Sequence, residues 1–202
     1  MNDGLPAADA PPLVEVLDAV RLIGAGGVVA YPTEAVYGLG CDPADADAVE
    51  RVLALKGRDA EKGLILVAAN ANQLAPWLAP LEPAWRSRMD AAWPGPVTFV
   101  VPAAPTVPER LSGGRQTLAV RVSDHPVVRA LCVGCGHPLV STSANRSGEP
   151  ALRDAAAVAR TFGVATGEAT APRLDAVVAG DLGGRERPST IVDVRTGERL
   201  RA

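Results

Sequence analysis

Between Gly26 and Asp42 the chain reads G-G-V-V-A-Y-P-T-E-A-V-Y-G-L-G-C-D, and its character changes at Pro32. Val28 to Tyr31 is an unbroken apolar, β-branched and aromatic run, as expected for a strand buried on both faces. Proline cannot donate to a strand ladder and biases Tyr31 towards extended backbone, so the strand is expected to end there. Thr33 and Glu34 then stand at the mouth of a buried strand, and Gly38 and Gly40 allow a tight return of the backbone past them. Polar side chains and bare amides just beyond a buried strand end are where open α/β sheets bind small molecules. The same residues would also serve an ordinary strand-to-helix connection with Thr33 as its cap, and this stretch alone does not separate the two.

The rest of the chain extends the pattern. Leu13, Val16, Leu17 and Val20 recur at helical spacing and predict an amphipathic helix that stops at Gly24–Gly27. Asp42-Pro43 opens a second helix, with Asp45 and Asp47 in its acidic first turn and Val49, Val52 and Leu53 facing inwards, ending at Leu55-Lys56-Gly57-Arg58. Gly63 to Ala68 is a second buried strand. Helical stretches are expected through Leu74, Trp77 and Leu78 and from about Glu82 to Ala92, before the rigid Trp93-Pro94-Gly95-Pro96 and a strand from Val97 to Val101. Trp85 and Trp93 are expected in the core. A long irregular connection over 102–116 leads to a strand from Thr117 to Val122. Arg121 sits within that apolar run, where a guanidinium needs a partner or an anion. A helix from Asp124 to Val133, a strand at Pro138–Val140, the polar run Ser141–Gly148, a helix at Ala151–Phe162, a strand at Ala176–Ala179 and the segment Pro188–Asp193 complete the body. Strands alternate with helices almost throughout, which predicts a mixed α/β (α+β) fold: one domain over residues 13–202, with a twisted mixed sheet flanked by helices. The Pro-, Ala- and Asp-rich residues 1–12 are expected to form a flexible tail.

Composition excludes several classes of function. In 202 residues, 20 basic against 23 acidic side chains leave a net charge of −3, which gives no global reason to expect tight nucleic-acid binding. No run approaches the roughly 18 apolar residues of a membrane span, and the N-terminus lacks the basic start of a signal peptide, so a cytoplasmic protein is expected. The three cysteines are expected to be reduced. Cys132-x-x-Cys135, His137 and Cys41 could supply four zinc ligands, but the usual second spaced pair is missing and no metal site is assigned. The chain has 18 Arg and two Lys, Lys56 and Lys62. Where nearly every basic residue is Arg, a compact ammonium is informative, and two of them six residues apart point to phosphate handling.

The residues at strand ends comprise hydroxyls (Thr33, Thr117, Ser141, Ser143, Ser189), cations (Lys56, Arg58, Lys62, Arg121), the amide of Asn145 and the carboxylate of Glu34. There is no Ser-His-Asp set, since His125 and His137 each precede a proline in turn-like contexts suited to surface or capping roles. Neither a P-loop nor a G-x-G-x-x-G after a strand is present. Hydroxyls with several cations suit a polyphosphate, because phosphoryl and nucleotidyl transfer need mainly positioning and neutralisation of charge.

The segments Y-P-T-E-A-V-Y-G-L-G-C-D-P, L-K-G-R, K-G-L-I-L-V-A-A-N, W-P-G-P-V-T-F-V, L-A-V-R-V-S-D-H-P and P-L-V-S-T-S-A-N-R-S-G together resemble the YrdC/TsaC family, the threonylcarbamoyl-AMP synthases. They follow the family's order over nearly the whole chain after residue 12, and the length is similar to that of the short bacterial form. The resemblance implies formation of threonylcarbamoyl-AMP and pyrophosphate from L-threonine, bicarbonate and ATP. The product would pass to tRNA-modifying partner proteins that act beside the anticodon. It further implies that Thr33, Arg121, Ser141 and Ser189 contact threonine, and that Lys56, Arg58, Thr117, Ser143, Asn145 and Arg201 line the ATP side. Lys56 and Arg58 would be catalytic, and Mg2+ would be held mainly through the ATP phosphates.

One departure stands out. The family usually has K-x-R-P where this chain has Lys56-Gly57-Arg58-Asp59, so Asp59 brings a negative charge near two implied phosphate ligands and would weaken ATP binding unless it points away. Two alternatives stay open. Arg185, Arg187, Arg195, Arg199 and Arg201 give the C-terminus a basic bias that would suit a weak RNA contact, although an aromatic content of 3% is sparse for base stacking. The same fold could also serve a carbamoyl or phosphate transferase acting on another amino acid, and a pocket distinguishes threonine from serine by only about 1–3 kcal/mol.

Overall fold

The computed structural model describes residues 13–164 and 172–201, and the tail expected over residues 1–12 lies outside them. Strands and helices follow one another in the order β1 (Leu13–Val14), α1 (Val16–Gly24), β2 (Val29–Pro32), β3 (Tyr37–Gly40), α2 (Ala46–Lys56), β4 (Ile65–Ala68), α3 (Ala71–Leu74) and α4 (Pro83–Asp90). There follow β5 (Val97–Pro102), α5 (Glu109–Ser112), β6 (Thr117–Val122), α6 (Pro126–Cys135), β7 (Leu139–Ser143), α7 (Ala155–Phe162), β8 (Ala176–Val178), β9 (Thr190–Asp193) and β10 (Arg199–Arg201). The strands form one ten-stranded sheet in the order β1-β8-β2-β3-β7-β4-β6-β5-β9-β10. Parallel pairs (β2 with β8, β4 with β6, β5 with β9) mix with antiparallel ones (β2 with β3, β3 with β7, β4 with β7, β5 with β6), as the mixed-sheet expectation required.

The two sheet faces are treated differently. Leu39, Leu66, Leu118, Val120 and Val140 share one core with Val49, Val52 and Leu53 of α2. On the opposite face Val29, Tyr31, Val67 and Leu139 pack with Ala19 and Ile23 of α1 and with Val128, Leu131 and Cys132 of α6. Side chains alternate along a strand, and Val67 pairs with both Arg121 and Leu139, so Ile65, Thr117, Ala119, Arg121, Ser141 and Ser143 belong to this second face. The two helices cover one part of it and leave the part with small and polar side chains open.

Several expectations change here. The return after Pro32 is a β-hairpin and not a strand-to-helix loop, because Pro32 pairs with Tyr37 and the turn closes from Thr33 N to Val36 O at 3.1 Å. Gly38 and Gly40 belong to β3, where their missing side chains admit the Tyr31 ring. A Cβ on Gly40 would come within 2.7 Å of Tyr31 Cε1 and meet the Val140 carbonyl oxygen. The first helix begins at Val16, Leu13 lies in β1, and Leu17 is exposed, so the buried stripe of α1 runs through Ala19 and Ile23. The second helix is capped by Asp45, whose carboxylate accepts from Asp47 N and Ala48 N, and it stops at Gly57 with φ 56°. Within the connection over 102–116 lies α5, and the C-terminus adds β10 beside β9. His125 is buried, with Nε2 3.0 Å from the Asp181 carbonyl, so it is no surface residue. Among the described residues no helix is long and apolar enough to cross a membrane.

Candidate active site

The open part of the second face floors a cavity of about 450 Å³. Its base is set by β6, where alternation presents Thr117, Ala119 and Arg121, and by β7, which presents Ser141 and Ser143. Ala119 and Gly38 leave room where a larger side chain would fill the space. The β2–β3 turn supplies Thr33 and Glu34; Arg58, Lys62 and Arg115 come from helix-to-strand connections, and Ser112 from the end of α5. Arg187, Ser189, Leu200 and Arg201 close the rim.

Eight of the ten residues expected from the sequence therefore line one cavity: Thr33, Arg58, Thr117, Arg121, Ser141, Ser143, Ser189 and Arg201. Lys56 and Asn145 stand behind its wall. Lys56 is 2% exposed, and its ammonium donates to the carbonyl of Ser143, to Asn145 O at 2.9 Å and to Asn145 Oδ1 at 3.1 Å. Burial, and then the nearby Arg58, push its pKa down to about 8. Asn145 also takes the Ser143 hydroxyl at 2.6 Å and donates to the carbonyls of Arg146 and Glu149, so its amide is fully used within the loop. In this arrangement neither residue lines the cavity, and both bond to Ser143, which does.

Arg121 is the central cation. It is 7% exposed and lies 3.2 Å from Glu34, itself 4% exposed, whose other oxygen accepts from Ser123 Oγ at 2.6 Å. Arg201 is held in β10 and donates to Ser189 O at 2.8 Å. Ser189 is in turn 2.9 Å from the buried Thr98 hydroxyl. Thr33 donates to Val36 O at 2.7 Å, which makes it both the cap of the hairpin and part of the cavity wall. Burial and the neighbouring Arg201 hold the Arg58 guanidinium below its ordinary value, and burial and Arg121 do the same to Arg201. Like charges thus converge on one space, with Glu34 as the single lining carboxylate among the described residues. Such a cluster is relieved by an anion.

Asp59 does not join it. Its carboxylate caps the turn Ala60–Lys62 by accepting from Glu61 N at 2.9 Å, and it does not line the cavity. Arg58 instead donates to Gly63 O at 3.0 Å. This is the outward-pointing arrangement that the sequence reading excepted. Sequence reasoning missed Arg115 and Arg187 as cavity residues; it placed Lys62 and Glu34 among the strand-end groups, with Lys62 pointing to phosphate handling, but assigned neither to a substrate. Arg115 had a signal, because it ends a connection too long for a compact domain without a task. Among the described residues no three His, Cys, Asp or Glu side chains converge on a metal-sized space. The donors that line the cavity do not fit a resident divalent cation.

The Sua5/YciO/YrdC family model, whose description reads "Telomere recombination", matches residues 21–202. The chain belongs to this family. Within the family, a threonylcarbamoyl-AMP synthase of Halorhodospira halophila is 57% identical over 176 residues, covering 87% of this chain and 88% of the relative. P. abyssi Sua5 complexed with L-threonine matches with a TM-score of 0.81 at 32% identity, over 91% of this chain and 52% of that one, so this chain spans about half the P. abyssi protein. E. coli YciO matches with a TM-score of 0.74 at 26% identity, over 93% and 90% of the two chains. The mixed α/β fold expected from the sequence, a twisted sheet flanked by helices, is shared with these family members.

Proposed function

We propose that the chain is a threonylcarbamoyl-AMP synthase, a nucleotidyltransferase that supplies the activated group for threonylcarbamoyladenosine next to the tRNA anticodon. The observation that carries this reading is the convergence of Arg58, Arg121 and Arg201, with Lys62, Arg115 and Arg187, on a cavity opposed by one carboxylate. A chain with net charge −3 that gathers its cations in this way has a site for a polyanion. The names of its relatives, and the threonine bound to P. abyssi Sua5, support an amino acid as co-substrate.

In this reaction the threonine amine and bicarbonate give a carbamate and water. A carbamate oxygen then attacks the α-phosphorus of ATP, and the bond to the leaving pyrophosphate breaks in line. Arg121, with Thr33, Ser141 and Ser189, would hold threonine, the guanidinium taking its carboxylate. Arg58, Thr117, Ser143 and Arg201 would line the nucleotide side, where charge builds on phosphate oxygens as pyrophosphate leaves. Lys56 and Asn145 would set Ser143 from behind, and the ammonium would add its charge through one layer of protein. Magnesium would enter with the nucleotide as part of the substrate, and no step is assigned to it. The C-terminal arginines do not act as one basic strip: Arg187 and Arg201 line the cavity, while Arg195 pairs with Asp193 and Arg185 with Asp124.

The test is pyrophosphate release by the purified protein with ATP, magnesium and bicarbonate, with and without threonine and with serine as a control. Release that requires threonine and bicarbonate is the expected result. Release indifferent to threonine would remove the amino acid from the reading.

A further inference from the structure

A carboxylate in a cation-lined cavity weakens the binding of every phosphate that enters it, so Glu34 needs a reason of its own. Among the described residues it has only part of the partnership a buried carboxylate requires. Oε1 is held by Ser123, whose oxygen accepts from His125 N at 3.1 Å and whose hydrogen is therefore directed to Glu34. Oε2 lies within ion-pair distance of Arg121 but has no hydrogen-bond partner, and neither does Arg121 Nε. The two unpaired atoms are opposite in sign, both residues are at least nine-tenths buried, and both line the cavity. Buried polar atoms without partners are rare in native proteins and costly, and such atoms mark a place where a ligand completes the pairing. The backbone of Glu34 is fixed as well, since its carbonyl accepts from Arg185 N at 2.9 Å.

An α-amino acid carries an ammonium and a carboxylate on the same carbon, which is the mirror of a carboxylate beside a guanidinium. We infer that Glu34 receives the α-ammonium of the amino-acid substrate through Oε2 while Arg121 takes its carboxylate, and that Ser123 positions Glu34 for this contact. The inference rests on the reading above that one substrate is an amino acid. It makes Glu34 the element that separates an amino acid from a purely anionic ligand in a field that otherwise favours anions.

Calorimetric binding of L-threonine and of its α-hydroxy analogue, 2,3-dihydroxybutanoate, to the full chain and to Glu34→Gln tests it. The wild type should prefer threonine by at least about thirtyfold, the lower end for breaking a buried charged contact. Glu34→Gln should lose most of that preference while binding ATP at least as tightly as the wild type, since a negative charge is removed. A variant that still prefers threonine as strongly overturns the inference. If circular dichroism shows Glu34→Gln unfolded, Ser123→Ala replaces it, and an undiminished preference there overturns the inference equally. Wild type that binds both ligands equally overturns the inference and leaves the proposed reaction standing, whereas wild type that binds neither overturns both.

Discussion

Arg121 lies in a strand whose register partners are apolar, with Val67 opposite it in β4, and its charge faces the cavity beside Glu34. Arg121→Ala would strip Glu34 of its counter-charge and the proposed substrate of its carboxylate partner. The apparent threonine requirement should rise by roughly 2–5 kcal/mol in binding terms, read as KM with turnover at saturating threonine less affected. Unchanged threonine dependence in a folded variant would refute the assignment. Lys56 gives a prediction in pH. Its pKa lies near 8 in the folded chain against the ordinary 10.5, with burial the larger cause and Arg58 the second. Below pH 8 the proton is present in both folded and unfolded states, and the full penalty of burying the charge acts. Between 8 and 10.5 the unfolded chain binds more protons than the folded one, so stability rises with pH. Urea unfolding should show the wild type gaining on Lys56→Met across that window, and a flat or falling difference would contradict the buried-ammonium account. At this scale the sequence was informative because Arg121 and Lys56 are anomalies against their surroundings. The partners of Lys56, three oxygens around Ser143 and Asn145, were not visible, because they lie far along the chain and two of them are backbone carbonyls.

Among the elements, the hairpin of β2 and β3 does most to place the site, since it turns Thr33 and Glu34 into the cavity and lays Tyr31 across two glycines. Gly40→Ala would put a methyl against Tyr31 Cε1, 2.7 Å away, and against the Val140 carbonyl, forcing β3 from its neighbour. It should cost at least about 1–3 kcal/mol in denaturant unfolding. A loss below about 0.5 kcal/mol, the range of an inert surface change, would show that the ring does not need the glycines. This is also where the sequence misled. Y-G-L-G has low strand propensity, because glycine loses the most conformational freedom on ordering, and the pair reads as a turn. Tertiary packing of the Tyr31 ring decides otherwise. The capped helix α2 was readable because Asp45 and Gly57 act locally, at its start and stop. The strand β10 was not, since the alternation of Arg199, Leu200 and Arg201 covers only three residues, all exposed, and they owe their extension to β9.

Over the whole molecule, a sheet covered by α1 and α6 on one part of a face and left open on the other concentrates cations that the net charge of −3 conceals. Alternating strands and helices gave away the fold, and the strand-end hydroxyls and cations gave away most of the wall. The rim did not show, because Arg115 and Arg187 reach the cavity from loops whose course depends on the complete fold. The field they create is suited to a nucleotide, and the Glu34–Arg121 pair within it to an amino acid. We propose that one cavity joins the two through a carbon from bicarbonate. Incubation of the purified chain with 13C-labelled bicarbonate, L-threonine and magnesium ATP, followed by mass spectrometry of the nucleotides, tests it directly. The expected product is an adenylate that contains threonine and a single labelled carbon, formed together with pyrophosphate. Nucleotide turnover by folded protein without a labelled adenylate would contradict it.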